Sequence, residues 1–320
     1  MTPGLPAPAT TLRVAPAGPL SRVGEALRLA ADGDTIEVLP GEYRGDVAVI
    51  TQRRLTIRGV GRRPVFSADG RDAEGKAIWV VRDGDIRIEN IEFRGARVAD
   101  GNGAGIRFER GRLQLQRCAF FDNEMGLLSG NVDSAELRIE DCEFGAAPQH
   151  AGSLHHLLYV GRIGRFILTG SRLHGGRRGH LVKSRAREST IAHNRIDDGT
   201  EGQASYEIDL PNGGLARVVG NVVGQSPRTE NAVLVAFGAE AAAWPGSALV
   251  MVNNRLINRL PAGGQFLKVW PERLPAGTPV WLVRNLTAGP GEFDSGGLPG
   301  QVQGNRAATA ADPEPGAVPR

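Results

Sequence analysis

The sequence contains few lysines, few cysteines and no long apolar run, and each of these shortages bears on what the protein can do. Only three of its 38 basic residues are lysines, namely Lys76, Lys183 and Lys268. A lysine retained among so many arginines is a candidate for a role that arginine cannot fill, such as releasing a proton. The two cysteines, Cys118 and Cys142, form no CxxC or Cys/His motif, which argues against zinc and redox centres. No apolar run approaches the roughly 18 residues that span a bilayer, so we expect no membrane partner.

Both ends of the chain are rich in Ala and Pro. Residues 2–9 carry neither the charged nor the apolar segment of a signal peptide. Such a lead-in is typical of the linker after a cleavage site, which favours a secreted or periplasmic protein over a cytoplasmic one. Residues 307–320 have the composition of a disordered tail. We therefore predict a flexible lead-in at 1–10, one folded domain at 11–306 and a disordered tail at 307–320.

Short apolar runs with alternating polarity recur at regular intervals between residues 86 and 287. Each run is followed by an anchor residue, small or polar except at Ile91, and then, two positions later, by a residue that is apolar except at Thr287. The anchors are Ile91, Cys118, Cys142, Ser171, Asn194, Asn221, Asn254 and Asn285. Their spacing of 23 to 33 residues suits one β-helix coil that contains two or three short strands. No helix-length periodic segment separates these strands, which argues against a doubly wound α/β fold.

The anchors themselves predict two kinds of stack, because equivalent residues of adjacent coils lie about 4.8 Å apart along the axis. The four consecutive Asn anchors should form a ladder in which each amide bonds the next. Cys118 and Cys142 occupy neighbouring anchors, and their expected separation falls within the disulfide range. In-register neighbours on parallel coils are poorly oriented for that bond, so free buried thiols are favoured.

One segment before the repeats has a helical rather than a strand-like pattern. Residues 21–31 place Val23, Ala26, Leu27 and Ala30 on one face, which predicts an amphipathic helix. Such a helix would cover the open end of the first coil, where unpaired strand edges promote aggregation.

The phrase AADGDTIEVLPGEYRGDV at residues 30–47 and the coils after it resemble the pectate-lyase-like right-handed parallel β-helix superfamily. The resemblance covers residues 11–306 and implies an all-β fold, a right-handed parallel β-helix of about ten coils with an N-terminal capping helix. It also implies an acidic polysaccharide as the partner. The superfamily includes lyases, hydrolases and epimerases of such polymers, and proteins that only bind glycans.

Five charged and aromatic residues predict a site on the outer face of three consecutive coils. Tyr159, Lys183 and Glu207 are spaced by 24 and 24 residues, so we expect them to form one outward column. Arg185 and Asp209 should form a second column beside it, since residues two apart on a strand share a face about 6.6 Å apart. Charged groups gathered with a phenol are typical of a functional site, although a solubilising salt-bridge patch is the alternative.

This composition favours β-elimination on a uronic-acid polymer. Arg185 can neutralise the substrate carboxylate through its bidentate fork. Lys183 is the predicted base, because the nearby Arg185 should lower its pKa toward neutrality. Tyr159, His156 or His180 is the predicted acid that protonates the leaving oxygen.

The remaining polar residues are predicted to tune the site or to bind the polymer. Glu207 and Asp209 would hydrogen-bond Lys183 or hold Ca²⁺, although two carboxylates are few for a calcium site and no cofactor is expected. Arg177 and Arg178 would add positive potential before the second coil, and Trp270 would stack on a sugar ring. The predicted substrate-binding residues are Asp209, Arg177, Arg178, Lys268 and Trp270.

Three alternatives share these residues. A glycoside hydrolase would use Glu207 and Asp209 as its carboxylate pair, near the lower end of the spacing for inversion. A uronate C5-epimerase would start with the same proton abstraction as the lyase. A non-catalytic glycan-binding or matrix protein would only grip the anionic chain. In every case we expect a monomer with no nucleic-acid partner.

Overall fold

The computed structural model describes residues 9–149, 154–309 and 311–312, which fold into three parallel β-sheets. Each coil contributes one strand to sheet 1, then one to sheet 2 and one to sheet 3, and each strand pairs with its equivalents one coil away. The architecture is therefore a parallel β-solenoid of about ten coils, as the repeat spacing predicts. The right-handed sense of the coils stays a prediction.

The strand bounds follow, and all counts refer to the described residues. Sheet 1 has twelve strands: Thr11–Val14, Thr35–Val38, Arg54–Gly59, Asp85–Glu89, Arg112–Gln116, Glu136–Glu140, Arg165–Thr169, Glu188–Ala192, Leu215–Val219, Ala248–Val252, Val280–Val283 and Gly300–Gln303. Sheet 2 has eleven strands: Glu42–Arg44, Val65–Ser67, Glu92–Arg94, Ala119–Phe121, Glu143–Gly145, Arg172–Leu173, Arg195–Asp197, Val222–Gln225, Arg255–Asn258, Leu286–Ala288 and Arg306–Ala307. Sheet 3 has ten strands: Ala48–Ile50, Ala77–Val81, Ala104–Phe108, Met125–Ser129, Leu158–Val160, Val182–Ser184, Ile208–Leu210, Val233–Phe237, Gln265–Val269 and Glu292–Asp294.

The described residues contain one short α-helix, Val23–Leu29, and a one-turn 3-10 helix, Pro271–Arg273. The α-helix is shorter than the predicted 21–31. It begins where the Glu25 carboxylate accepts the backbone N–H groups of Ser21 and Arg22, at 2.8 and 3.1 Å. Its apolar face is buried as predicted, whereas its role as an end cap stays a prediction.

The interior is filled by stacked apolar side chains from all three sheets. Inside sheet 2, the rings of Tyr43, Phe66, Phe93, Phe120 and Phe144 form a continuous row, with successive centroids 4.8, 6.1, 5.2 and 4.5 Å apart. Each ring thus contacts its equivalent on the next coil, which aligns the coils.

The turn from sheet 1 to sheet 2 carries the predicted amide ladder. The Oδ1 of Asn221 accepts the backbone and side-chain N–H groups of Asn194 at 2.9 and 3.0 Å. The same pattern continues through Asn254 and Asn285, and it extends one coil further to Asn305. The ladder is therefore confirmed and longer than predicted.

The residue before each anchor has an unusual backbone conformation. Its φ is positive at every anchor. Some of these residues are not glycine, such as His193 (57°) and Arg284 (52°), and others are glycine, such as Gly220 (64°). Non-glycine residues rarely adopt this conformation, which costs energy. At the Asn anchors, the amide hydrogen bonds to the next coil oppose that cost.

Cys118 and Cys142 are buried free thiols, as favoured, and the Cys118 N–H donates to the Cys142 Sγ at 3.3 Å. The predicted flexible ends fall largely outside the described residues, at 1–8, 310 and 313–320.

Candidate functional site

The outer face of sheet 3 brings together part of the predicted site. The strand register pairs Tyr159 with Lys183, and Lys183 with Asp209. The preceding residues on the same strands are buried and apolar, so these three side chains share the opposite face. The predicted column is therefore correct for Tyr159 and Lys183, but its third member is Asp209.

The predicted position of Glu207 is wrong. The coil from Lys183 to its register partner is 26 residues long rather than 24, because the turn after Asp197 is longer. Extending the register by one residue aligns Glu207 with the buried Leu181 and Leu234. Glu207 is fully buried, and among the described residues neither carboxylate oxygen has a hydrogen-bond partner. Burial raises the pKa of Glu207 well above its usual value. Glu207 is therefore a buried residue and not part of the surface cluster around Lys183.

Lys183 is held between two carboxylates. Its Nζ lies 3.0 Å from Asp209 Oδ2 and 2.8 Å from Glu240 Oε1, and its side chain is only 9% exposed. Burial lowers the pKa of Lys183, but Asp209 and Glu240 outweigh burial, and the net pKa is raised. The prediction that Arg185 lowers this pKa toward neutrality is wrong, because two carboxylates, absent from that reasoning, surround the ammonium.

Arg185 links three neighbouring groups on the same face. Its Nη2 lies 2.6 Å from Glu240 Oε2, while its Nε donates to Tyr159 Oη and its Nη1 to Asn212 Oδ1, both at 2.8 Å. Burial lowers the pKa of Arg185, yet Glu240 and Tyr159 raise it overall. Arg185 therefore stays charged and is fixed in orientation, which suits the recognition of a carboxylate.

Glu240 belongs to the loop at 238–247, which folds back over the site. The indole N–H of Trp244 in this loop donates to the Arg185 carbonyl oxygen at 2.9 Å, and the Arg162 guanidinium lies 3.7 Å from the Trp244 ring centroid. Sequence reasoning missed both loop residues. Glu240 is 57 residues from Lys183, and no repeat marks its position.

His156 lies beside Tyr159, with ring centroids 5.3 Å apart, and His180 lies beside Asp209. Burial lowers the pKa of His156 to about 3 and that of His180 to about 2, so both rings are neutral at ordinary pH. Nδ1 of each ring accepts a backbone N–H, from His180 and Tyr206 respectively. Each neutral ring therefore carries its proton on Nε2, and that of His180 points to Asp209 Oδ2 at 3.3 Å.

Asp209 has an unusual environment for a carboxylate. It is 1% exposed, and its Oδ1 has no hydrogen-bond partner among the described residues. Burial raises the pKa of Asp209 to about 6, against the opposing effect of Lys183. The adjacent Glu240 has a lowered pKa, because Lys183 and Arg185 outweigh its burial. The two carboxyl groups thus differ in their proton affinity.

The predicted substrate-binding residues are spread more widely. Lys268 stands in the Lys183 column, three coils beyond it, and its Nζ lies 5.2 Å from the Trp270 ring centroid. Arg177 lies elsewhere, where it donates to Gln203 Oε1 at 3.1 Å and lines a groove of about 540 Å³. Arg178 pairs with Glu230 at 3.2 Å and is half-exposed. Neither of these arginines contacts the cluster around Lys183.

Within the described residues, no group of three or more His, Cys, Asp or Glu side chains is arranged to hold a metal ion. No helix in that part of the chain is long and apolar enough to cross a membrane.

Two solved polysaccharide lyases share this fold. A mutant of the PL6-family alginate lyase AlyGC matches 96% of this chain with a TM-score of 0.54 and 13% identity, and the chain spans 41% of that protein's length. Pectate lyase Pel9A matches 95% of this chain with a TM-score of 0.52 and 13% identity, over 82% of its own length. No family model and no curated protein matches the sequence. At this identity the likeness shows the parallel β-helix fold alone.

Proposed function

We propose that this protein is a polysaccharide lyase that cleaves an acidic, uronate-containing polymer by β-elimination. The observation that carries the proposal is a single carboxylate, that of Glu240, held at once by Lys183 Nζ at 2.8 Å and Arg185 Nη2 at 2.6 Å. This pair of cations on an outer β-helix face suits a uronate carboxylate equally well. The fold that the chain shares with two polysaccharide lyases supports the same substrate class.

The elimination removes the C5 proton, forms the C4=C5 double bond and breaks the C4–O bond. Negative charge develops on the carboxylate as the proton leaves, so fixed cations beside it lower the barrier. We assign this role to Lys183 and Arg185. Lys183 is no longer the proposed base, because its carboxylate partners keep it protonated.

Tyr159 is the best-placed group for proton transfer. Its Oη accepts the Arg185 Nε–H at 2.8 Å, which fixes the phenol oxygen beside the two cations of the site. One tyrosine that removes the C5 proton and returns it to the leaving oxygen balances the reaction. His156 and His180 act as positioning residues, since their rings are buried and neutral.

A glycoside hydrolase is the second candidate, although not with the pair predicted from sequence. Asp209 and Glu240 both contact Lys183 Nζ, at 3.0 and 2.8 Å, and their pKa values are shifted in opposite directions. Such a divergence is typical of an acid and a base acting together.

The test is a screen of alginate, pectate, polyglucuronate and glycosaminoglycans, with and without a calcium chelator. A lyase generates an ultraviolet-absorbing unsaturated uronate, whereas a hydrolase generates reducing ends without it. We expect Lys183→Met and Tyr159→Phe to lose at least about 100-fold in rate, the range for a positioned proton-transfer or charge-stabilising group. Lys76→Met is the matched control, because Lys76 forms a similar ion pair with Glu109 (2.8 Å) outside the site.

Binding without any product would instead indicate a glycan-binding protein. Full cleavage by Lys183→Met would remove Lys183 from the mechanism. We also propose that the protein is secreted or periplasmic, where it would meet such a polymer.

A further inference from the structure

We propose that Glu240 occupies the carboxylate subsite of the free protein and that an incoming carboxylate ligand must displace its side chain. The inference deepens the proposed function and rests on it for the identity of the natural ligand. The subsite itself is defined by Lys183 and Arg185.

The exposures of the three side chains support this arrangement. Glu240 is 42% exposed, whereas Lys183 and Arg185 are 9% and 20% exposed. The carboxylate therefore lies on the solvent side of both cations and shields them. A ligand that approaches from solvent meets Glu240 first.

The subsite is built for a carboxylate in particular. Each cation contacts a different oxygen of Glu240, so the two oxygens are bridged by two separate donors. Arg185 is fixed from its other side by Tyr159 and Asn212, and Lys183 by Asp209. The positions of the donors therefore persist when the Glu240 side chain leaves.

The loop backbone is anchored on both sides of Glu240, so displacement requires only side-chain rotation. The Glu240 N–H donates to the Pro211 carbonyl oxygen at 2.9 Å, and Asn212 Nδ2 donates to the Ala241 carbonyl oxygen at 2.6 Å. The Trp244 N–H also donates to the Asn212 carbonyl oxygen at 3.0 Å. A ligand carboxylate that displaces Glu240 would form the same two ion pairs, with Lys183 and Arg185.

Acetate is the probe, because it presents the carboxylate without a sugar. In Glu240→Ala the subsite is vacant, and acetate should raise the midpoint of thermal unfolding by about 2 °C relative to chloride at equal ionic strength. The wild-type protein should show no such difference, because Glu240 already fills the subsite. Adding Arg185→Ala to Glu240→Ala should abolish the effect of acetate.

Two further variants separate occupancy from a general change in charge. Glu240→Asp keeps the charge, but its side chain is one methylene shorter and its carboxylate does not reach both cations. Acetate should therefore stabilise this variant as well. Glu201→Ala is the matched control, since it frees the exposed Arg228 that Glu201 pairs with at 2.8 Å, and acetate should have no effect there.

Equal stabilisation of wild type and Glu240→Ala by acetate, or no stabilisation of Glu240→Ala and Glu240→Asp, would overturn the inference. Cleavage of polymers is measured separately. If the protein cleaves no polymer but acetate stabilises Glu240→Ala, the carboxylate subsite stands and the lyase proposal fails. If the protein cleaves a polymer but acetate does not stabilise Glu240→Ala, the lyase proposal stands and the subsite inference fails.

Discussion

Replacing the buried Glu207 with leucine should stabilise the protein, because it replaces an unpaired carboxyl group in the interior with an apolar side chain. Glu207 is fully buried, and its carboxylate oxygens have no hydrogen-bond partner among the described residues. It aligns with Leu181 on one coil and Leu234 on the next, so a leucine at this position would complete an apolar column of similar side chains.

The expected gain combines two effects. An unpaired buried polar group costs about 1–3 kcal/mol, and a buried leucine side chain contributes about 1.5–3 kcal/mol. Allowing for imperfect packing, we expect Glu207→Leu to raise the free energy of unfolding by about 2–4 kcal/mol at neutral pH.

The gain should also depend on pH. Burial, with a smaller contribution from Asp198, raises the pKa of Glu207 well above 4.5. The folded protein therefore keeps this proton where the unfolded chain has released it. Wild-type stability consequently falls as the pH rises above 4.5 through the folded pKa. Glu207→Leu lacks this loss, so its advantage over the wild type is smallest in acid and grows with pH.

Urea unfolding at a series of pH values measures both effects. Glu207→Gln is the matched control, because it keeps the size and the unpaired polar atoms but does not ionise. It should remove the part of the pH dependence that Glu207 contributes and recover only part of the stability. A Glu207→Leu variant that is less stable than wild type at every pH would refute the reasoning, since it would show that the carboxyl group is satisfied in solution.

Two further predictions concern the ladder and the site. Asn221→Ala leaves buried N–H groups of Asn194 without an acceptor, so it should lower the free energy of unfolding by about 2–4 kcal/mol. Asn305→Ala, at the partly exposed end of the ladder, should lower the free energy of unfolding by less in the same urea assay. Equal losses would contradict the role of burial. The Asp209 carboxyl carbon should titrate near pH 6 in NMR spectra, and Lys183→Met should move this pKa higher, because Lys183 opposes the effect of burial. An unchanged or lower value would contradict the ion pair at 3.0 Å.

The fold was predictable because its determinants repeat along the sequence. An alternating run followed by an anchor recurs once per coil, and the side chain at the anchor meets its equivalents on the neighbouring coils. Cys118, Cys142 and the Asn anchors thus define the turn between sheets 1 and 2 without any knowledge of the loops. The residues before them adopt a positive φ that spacing alone does not reveal.

The site was only partly predictable, because it depends on turns whose lengths vary. Two additional residues before Ile208 shift the register, and the shift places Asp209 instead of Glu207 opposite Lys183. Because Glu207 and Asp209 are two residues apart, a shift of two residues keeps the facing and moves Asp209 into the place predicted for Glu207. Glu207 then lies just before the strand Ile208–Leu210, where it is buried. The role of Glu240 was not predictable, because it lies in a loop two coils away and only the folded chain brings it to Lys183 and Arg185.

The amide ladder makes each turn depend on a side chain supplied by the following coil. Asn285, for example, finds its acceptor only because Asn305 lies beyond it. Removing the residues from one Asn anchor to the next should therefore leave each remaining turn of the ladder with an acceptor. A cut between anchors, by contrast, leaves an unfinished turn at the new terminus.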